Sequence, residues 1–144
     1  MKDYPDMSFV LSLYLQDIHS PKAAARLAER NRPLAVTALL AFEVEQALAL
    51  AMFRQRVPPA QGHKALSDWQ ADLASGAVEI AATDWPQAFE EARRIARLRT
   101  VTEGFRSLDI LHVAAALVSE AEEFLSFDER QRKLAQAEGM KVKP

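Results

Sequence analysis

The sequence predicts an α/β sandwich in which a central, mostly parallel sheet of about five short strands is flanked by helices. Three observations carry that expectation. Short apolar runs of strand length alternate with longer helical stretches along the chain, and Pro, Gly and Ser punctuate the boundaries between them. Strands separated in this way by helices pair in parallel, with crossovers that cover both faces of the sheet. The 144 residues are enough for one core. Residues 1–144 read as a single domain, without repeat, low-complexity tract or linker.

The elements follow in order. A strand is expected over Lys2–Asp6, then an apolar helix from Ser8 to about Gln16. Ser20-Pro21 reads as an N-cap with proline at the first helical position, opening a helix to about Arg30. Leu34–Thr37 is expected to be a short buried strand and Leu39 to about Arg56 a long helix. Pro58-Pro59 precedes a helix over Ala60–Leu73. After Ser75-Gly76, Val78–Ala81 reads as a strand, and Asp84 with Pro86 opens a helix to about Arg99. Ser107 is expected to cap Leu108–Glu120. A strand over Glu123–Phe127, a helix over Asp128–Ala137 and a strand over Met140–Val142 complete the chain.

A hydrophobic content of 49% with 26% charged residues describes a globular chain, not a disordered one. No 18-residue stretch is free of charge, and the most apolar region, Leu34–Phe53, carries Glu43 and Glu45, so no membrane span is expected. The N-terminus lacks the basic patch and cleavage site of a secretion signal. The absence of cysteine excludes disulfides and thiolate zinc sites and agrees with a reducing cytoplasm. With 18 basic and 20 acidic residues the net charge is -2, which provides no overall field to attract nucleic acid. Acids clustered to hold divalent cations would lower that sum without excluding such a partner.

Position separates four acids from the rest. Asp6 ends the first strand and Asp128 follows the strand through Phe127, and ligand sites in parallel sheets form beyond the carboxyl ends of strands. Glu43 has Leu39, Ala47 and Leu50 as helical neighbours, which predicts that it faces the core, whereas Glu45 lies with Ala49, Met52 and Arg56. Asp109 begins an apolar helix, with Val113 and Ala116 one and two turns on. A carboxylate on an apolar face must be protonated, paired or bound to a cation. Each acid also has a structural reading. Asp128 serves as an N-cap, Asp109 as a first-turn acid favoured by the helix dipole, Asp6 as a turn residue, and Glu43 as the partner of an arginine.

Oxygen ligands without cysteine or a histidine pair favour Mg²⁺, with Mn²⁺ as a substitute. No phosphate-cradling glycine loop is present, so metal-assisted phosphodiester hydrolysis is the chemistry that fits.

These stretches resemble the motifs of PIN domains. Tyr4-Pro5-Asp6-Met7-Ser8-Phe9-Val10 is similar to their opening strand, acid, hydroxyl and helix. Leu39–Leu48 resembles their second motif, with Glu43 as the acid. Arg106-Ser107-Leu108-Asp109-Ile110-Leu111-His112-Val113 is the most specific match, and Phe124–Gln131 with Gly139–Val142 completes the series. The resemblance implies a PIN-like three-layer sandwich. It also implies a Mg²⁺-dependent endoribonuclease of the VapC type, the toxin of a toxin–antitoxin pair, which cuts structured RNA, dimerises and is inhibited by a cognate antitoxin. In that reading Asp6, Glu43, Asp109 and Asp128 hold the metal, and Ser8 and Ser126 support them with hydroxyls. Pro5 and Met7 depart from the family pattern, and Pro5 predicts a short or irregular first strand.

Arg97, Arg99 and Arg106, in the basic run before Asp109, are candidates for RNA contact through their planar guanidinium forks, and the competing reading is a solvated helix face. His112 reads as a histidine satisfied at the edge of the core, and Trp69 and Trp85 as packing residues. Two other functions use the same residues: a catalytically weak PIN module that binds RNA or protein, and a phosphodiesterase acting on DNA.

Overall fold

The computed structural model describes all 144 residues. They form two compact units, one of residues 1–6 with 82–143 and one of residues 7–81 with 144.

The first unit contains β1 (Asp3–Pro5), α5 (Trp85–Ile95), α6 (Val101–Glu103), α7 (Ser107–Val118), β4 (Glu123–Leu125), α8 (Glu129–Ala137) and β5 (Lys141–Lys143). Its strands pair in parallel in the order β1-β4-β5, with Pro5 opposite Leu125 and Leu125 opposite Lys143. Pro5 sits on the end strand of this ladder. Asp6 N–H, the next in line, donates to the Leu125 carbonyl at 2.9 Å. Amides alternate sides along a strand, so the missing proline donor falls on the side away from β4. The expected shortening is real, at three residues, but the ladder continues past the proline. Tyr4 stacks on Phe124 with ring centroids 5.6 Å apart. Val113, Ala114, Ala115 and Ala116 of α7 are fully buried with Leu134 and Ala135 of α8.

The helix expected from Asp84 to Arg99 begins as read, with the Asp84 carboxylate accepting the Gln87 N–H at 3.1 Å. It changes character at Ala96–Thr100, where the turns widen to π-helix. Arg94 and Arg99 both reach Glu138, the residue that ends α8. Arg99 Nε lies 2.5 Å from Oε1, and Arg99 Nη2 donates to the Ala137 carbonyl at 2.9 Å. This bracket fastens the end of α8 to the α5 segment. Burial pushes the Glu138 carboxyl up, but hydrogen bonds from Arg99 and Arg94 outweigh it and hold the group below its usual range. The side chain is only 7% exposed, while that of Arg94 is 42% exposed and screened. Glu138→Gln is therefore expected to lower stability by about 1–2 kcal/mol at neutral pH, measured by chemical denaturation. A depressed carboxyl contributes stability above its unfolded pKa, near 4.3 for glutamate, and loses it as pH falls through the lower folded value. The deficit of the variant should accordingly shrink in acid.

The second unit contains α1 (Met7–Tyr14), α2 (Ser20–Ala28), β2 (Leu34–Val36), α3 (Ala38–Phe53), α4 (Pro59–Ser75) and β3 (Val78–Ile80). Leu34 to Val36 pairs in parallel with Val78 to Ile80. Val10, Val36, Leu40, Val44, Leu48 and Trp69 make its core. Trp69 is fully buried, as expected of a packing residue, and meets the Tyr14 ring edge-on at 5.5 Å. Thr37 follows β2 and caps α3, its hydroxyl accepting the Leu40 N–H at 3.1 Å. The five strands are all parallel, as expected, but they pair in two ladders of three and two, not in one.

Two expected caps are displaced by a residue. Ser20 and Ser107 are the first helical residues of α2 and α7, and His19 and Arg106 occupy the cap positions. The Ser20 hydroxyl instead accepts the Asp17 N–H at 2.9 Å and donates to the Leu15 carbonyl at 3.0 Å.

Candidate active site

The carboxyl end of β1 delivers Asp6 into the first unit as a buried residue, 1% exposed. Beyond the carboxyl end of the neighbouring β4 stand Ser126 and Asp128. Ser126 Oγ donates to Asp6 Oδ2 and accepts the Asp128 N–H at 3.0 Å. Arg132 Nη1 fixes the same corner by donating to the Ser126 carbonyl at 2.6 Å. Asp128 then caps α8, its Oδ1 accepting the Gln131 N–H at 3.0 Å. Gln131 Nε2 in turn donates to Asp109 Oδ1 at 3.4 Å. One polar chain, Asp6–Ser126–Asp128–Gln131–Asp109, joins three of the four candidate acids.

Asp109 is the third residue of α7, and its carboxylate accepts the backbone N–H of Arg106, half of a capping box. The structural readings of Asp109 and Asp128 thus hold geometrically. For Asp109 the cap is not the whole account, because capping alone would lower its carboxyl. Burial, and then the negative charge of Asp128, push the Asp109 carboxyl up, and the opposing Arg106 N–H, Arg106 guanidinium and His112 do not cancel them. As an anion Asp109 is therefore disfavoured first by its burial and then by the charge of Asp128.

Glu43 lies on α3 of the second unit. The buried stripe of that helix is Leu40, Ala41, Val44 and Leu48. Glu43 is half-buried at its margin with Leu39, Ala47 and Leu50, not directed into the core as expected. Ser8 lies half-buried in α1 of the same unit, its carbonyl accepting the Ser12 hydroxyl at 3.0 Å. Of the candidate arginines, Arg97 and Arg106 are exposed, whereas Arg99 is occupied by Glu138. His112 is buried, with Nδ1 2.8 Å from the Tyr4 hydroxyl, so it is satisfied in the core. Gln131 and Arg132 were not singled out from the sequence.

The donors fit a hard divalent cation in kind, since the chain of acids offers only oxygens. No three His, Asp or Glu side chains close into a ligand cage. Magnesium requires none, because it characteristically takes one or two protein carboxylates and keeps several waters. Gln131 Oε1, buried beside Asp109 without a donor, leaves an acceptor position open at the acids.

Among curated protein sequences no match is found. Among solved structures the fold is similar to VapC20 of Mycobacterium tuberculosis, a toxin that cleaves the sarcin–ricin loop, with a TM-score of 0.70 over 99% of each chain at 19% identity. At that identity the likeness is one of fold. The PIN domain family matches residues 4–137, nearly the whole length, and the chain belongs to that family.

Proposed function

We propose that the chain is a Mg²⁺-dependent endoribonuclease, the toxin of a type II, VapC-type toxin–antitoxin pair, that cuts structured RNA. The observation that carries this reading is the gathering of three acids on one hydrogen-bonded chain, Asp6 with Asp128 through Ser126 and Asp128 with Asp109 through Gln131, with the Asp109 carboxyl raised by burial and by the charge of Asp128. Like charges gathered beyond β1 and β4 and in the first turn of α7 cost stability unless a cation takes them up. Family membership and the fold shared with a ribonuclease toxin support the substrate class.

Asp6, Asp109 and Asp128 would hold the ion, with Glu43 as the fourth carboxylate and Mn²⁺ able to replace Mg²⁺. A bound divalent ion supplies an activated water and stabilises charge on the phosphodiester. Ser126 keeps the Asp6 carboxylate and the Asp128 backbone in place, and Ser8 is proposed as a second supporting hydroxyl. Exposed Arg106 and Arg97 offer flat, charged forks to the RNA backbone. Arg99 is less suited, since releasing it would open the Glu138 bracket. The proposed partners are the RNA, a cognate antitoxin protein and a second copy of the chain, acting in the cytoplasm. No helix is long and apolar enough to cross a membrane.

The test is to sequence RNA ends after brief expression of wild type and of Asp6→Asn. New ends at defined positions in a structured RNA, with growth arrest, are expected from wild type alone. Purified protein that cuts RNA equally well in excess EDTA would refute the mechanism. Cleavage of DNA but not RNA would overturn the substrate assignment.

A further inference from the structure

Gln131 lies in a helix with glutamate, arginine and lysine around it, yet it is only 7% exposed. Its backbone N–H goes to Asp128 Oδ1 and its Nε2 to Asp109 Oδ1, so it donates to two of the acids. Its Oε1 has no donor. Turning the amide over would not relieve this, because it would set Oε1 against the Asp109 carboxylate, acceptor against acceptor. The two ends of an amide are neighbours, so the orphaned oxygen lies close to the Asp109 carboxylate that Nε2 meets. A buried polar atom left without a partner is a standing cost that packing does not explain.

We propose that Gln131 is a positioning residue of the cation site: Nε2 orients Asp109, and Oε1 accepts an O–H from the hydration water of a hard divalent cation held at Asp109 and Asp128. This rests on the metal-site reading above. A neutral amide suits that position better than a further acid would, because it provides an acceptor without adding to the repulsion between Asp109 and Asp128. Partners in this outer position fix the orientation of ligands and tune affinity for the ion.

The test is a Mn²⁺ titration of wild type, Gln131→Met, Gln131→Leu and Asp109→Asn, with free Mn²⁺ read by electron paramagnetic resonance. All proteins are titrated well below their melting temperatures in EDTA, so lost affinity cannot be lost fold. Gln131→Met and Gln131→Leu are expected to bind Mn²⁺ about tenfold or more weakly than wild type, within the range of outer-shell partners. Wild-type affinity in both variants, with binding still lost in Asp109→Asn, would overturn the role of Gln131 and leave the metal site standing. No saturable, Asp109-dependent binding in wild type would overturn both.

Discussion

Asp109→Asn is expected to lower Mg²⁺-dependent RNA cleavage on the order of 10³-fold, beyond the 10–100-fold typical of outer-shell losses, while the protein stays folded. The same substitution should raise the melting temperature in EDTA at neutral pH. Burial and Asp128 push the Asp109 carboxyl up, so its contribution to stability is present below the unfolded pKa and is lost as pH rises through the folded one. At neutral pH the ionised group is a cost, and asparagine removes the charge while its side-chain oxygen can still accept the Arg106 N–H. The stability gap should close in acid, where the wild-type carboxyl is neutral. A variant that is both inactive and more stable without metal is the signature of a residue placed for function. Thermal melts across pH, together with cleavage of a structured RNA, check both halves.

Ser126→Ala is expected to reduce cleavage about 10–100-fold and to raise the Mg²⁺ concentration needed for half-maximal rate. Ser126 is fully buried, and its single oxygen serves both the Asp6 carboxylate and the Asp128 backbone. Alanine removes one donor from a buried acid and one acceptor from the part-buried Asp128 N–H, at a stability cost of about 1–3 kcal/mol. Unlike Asp109→Asn, this variant should be both less active and less stable. Denaturation combined with Mg²⁺-dependent rates separates the two effects.

Local chemistry was legible in the sequence. Asp84 and Asp128 cap their helices as read, because an N-cap carboxylate and the N–H it accepts are three residues apart. Asp6 at the end of β1 and Asp128 beyond β4 followed from strand order alone. Long-range choices were not legible. Pairing of β1 with β4 and of β2 with β3 depends on contacts between distant stretches, so the division into two ladders left no local mark. Glu43 lies at the margin and not in the core; α3 is apolar on nearly every side, so periodicity does not separate its buried stripe from its edge. Ser107 looked like a cap, but Asp109 reaches back to Arg106 and sets the helix start one residue earlier. Nothing in the local sequence marks Gln131, because its burial comes from what packs around α8, not from its neighbours along the chain.

If Asp109 and Asp128, with Asp6 beside them, hold a divalent ion, that ion takes up the charge that Arg106 and His112 leave uncompensated at Asp109. Anomalous diffraction from crystals grown with Mn²⁺ tests it most directly. A manganese peak at Asp109 and Asp128, with Asp6 beside it, is the expected result. Crystals that contain manganese elsewhere but show none at these acids, with Asp109 satisfied by Arg106 alone, would contradict it.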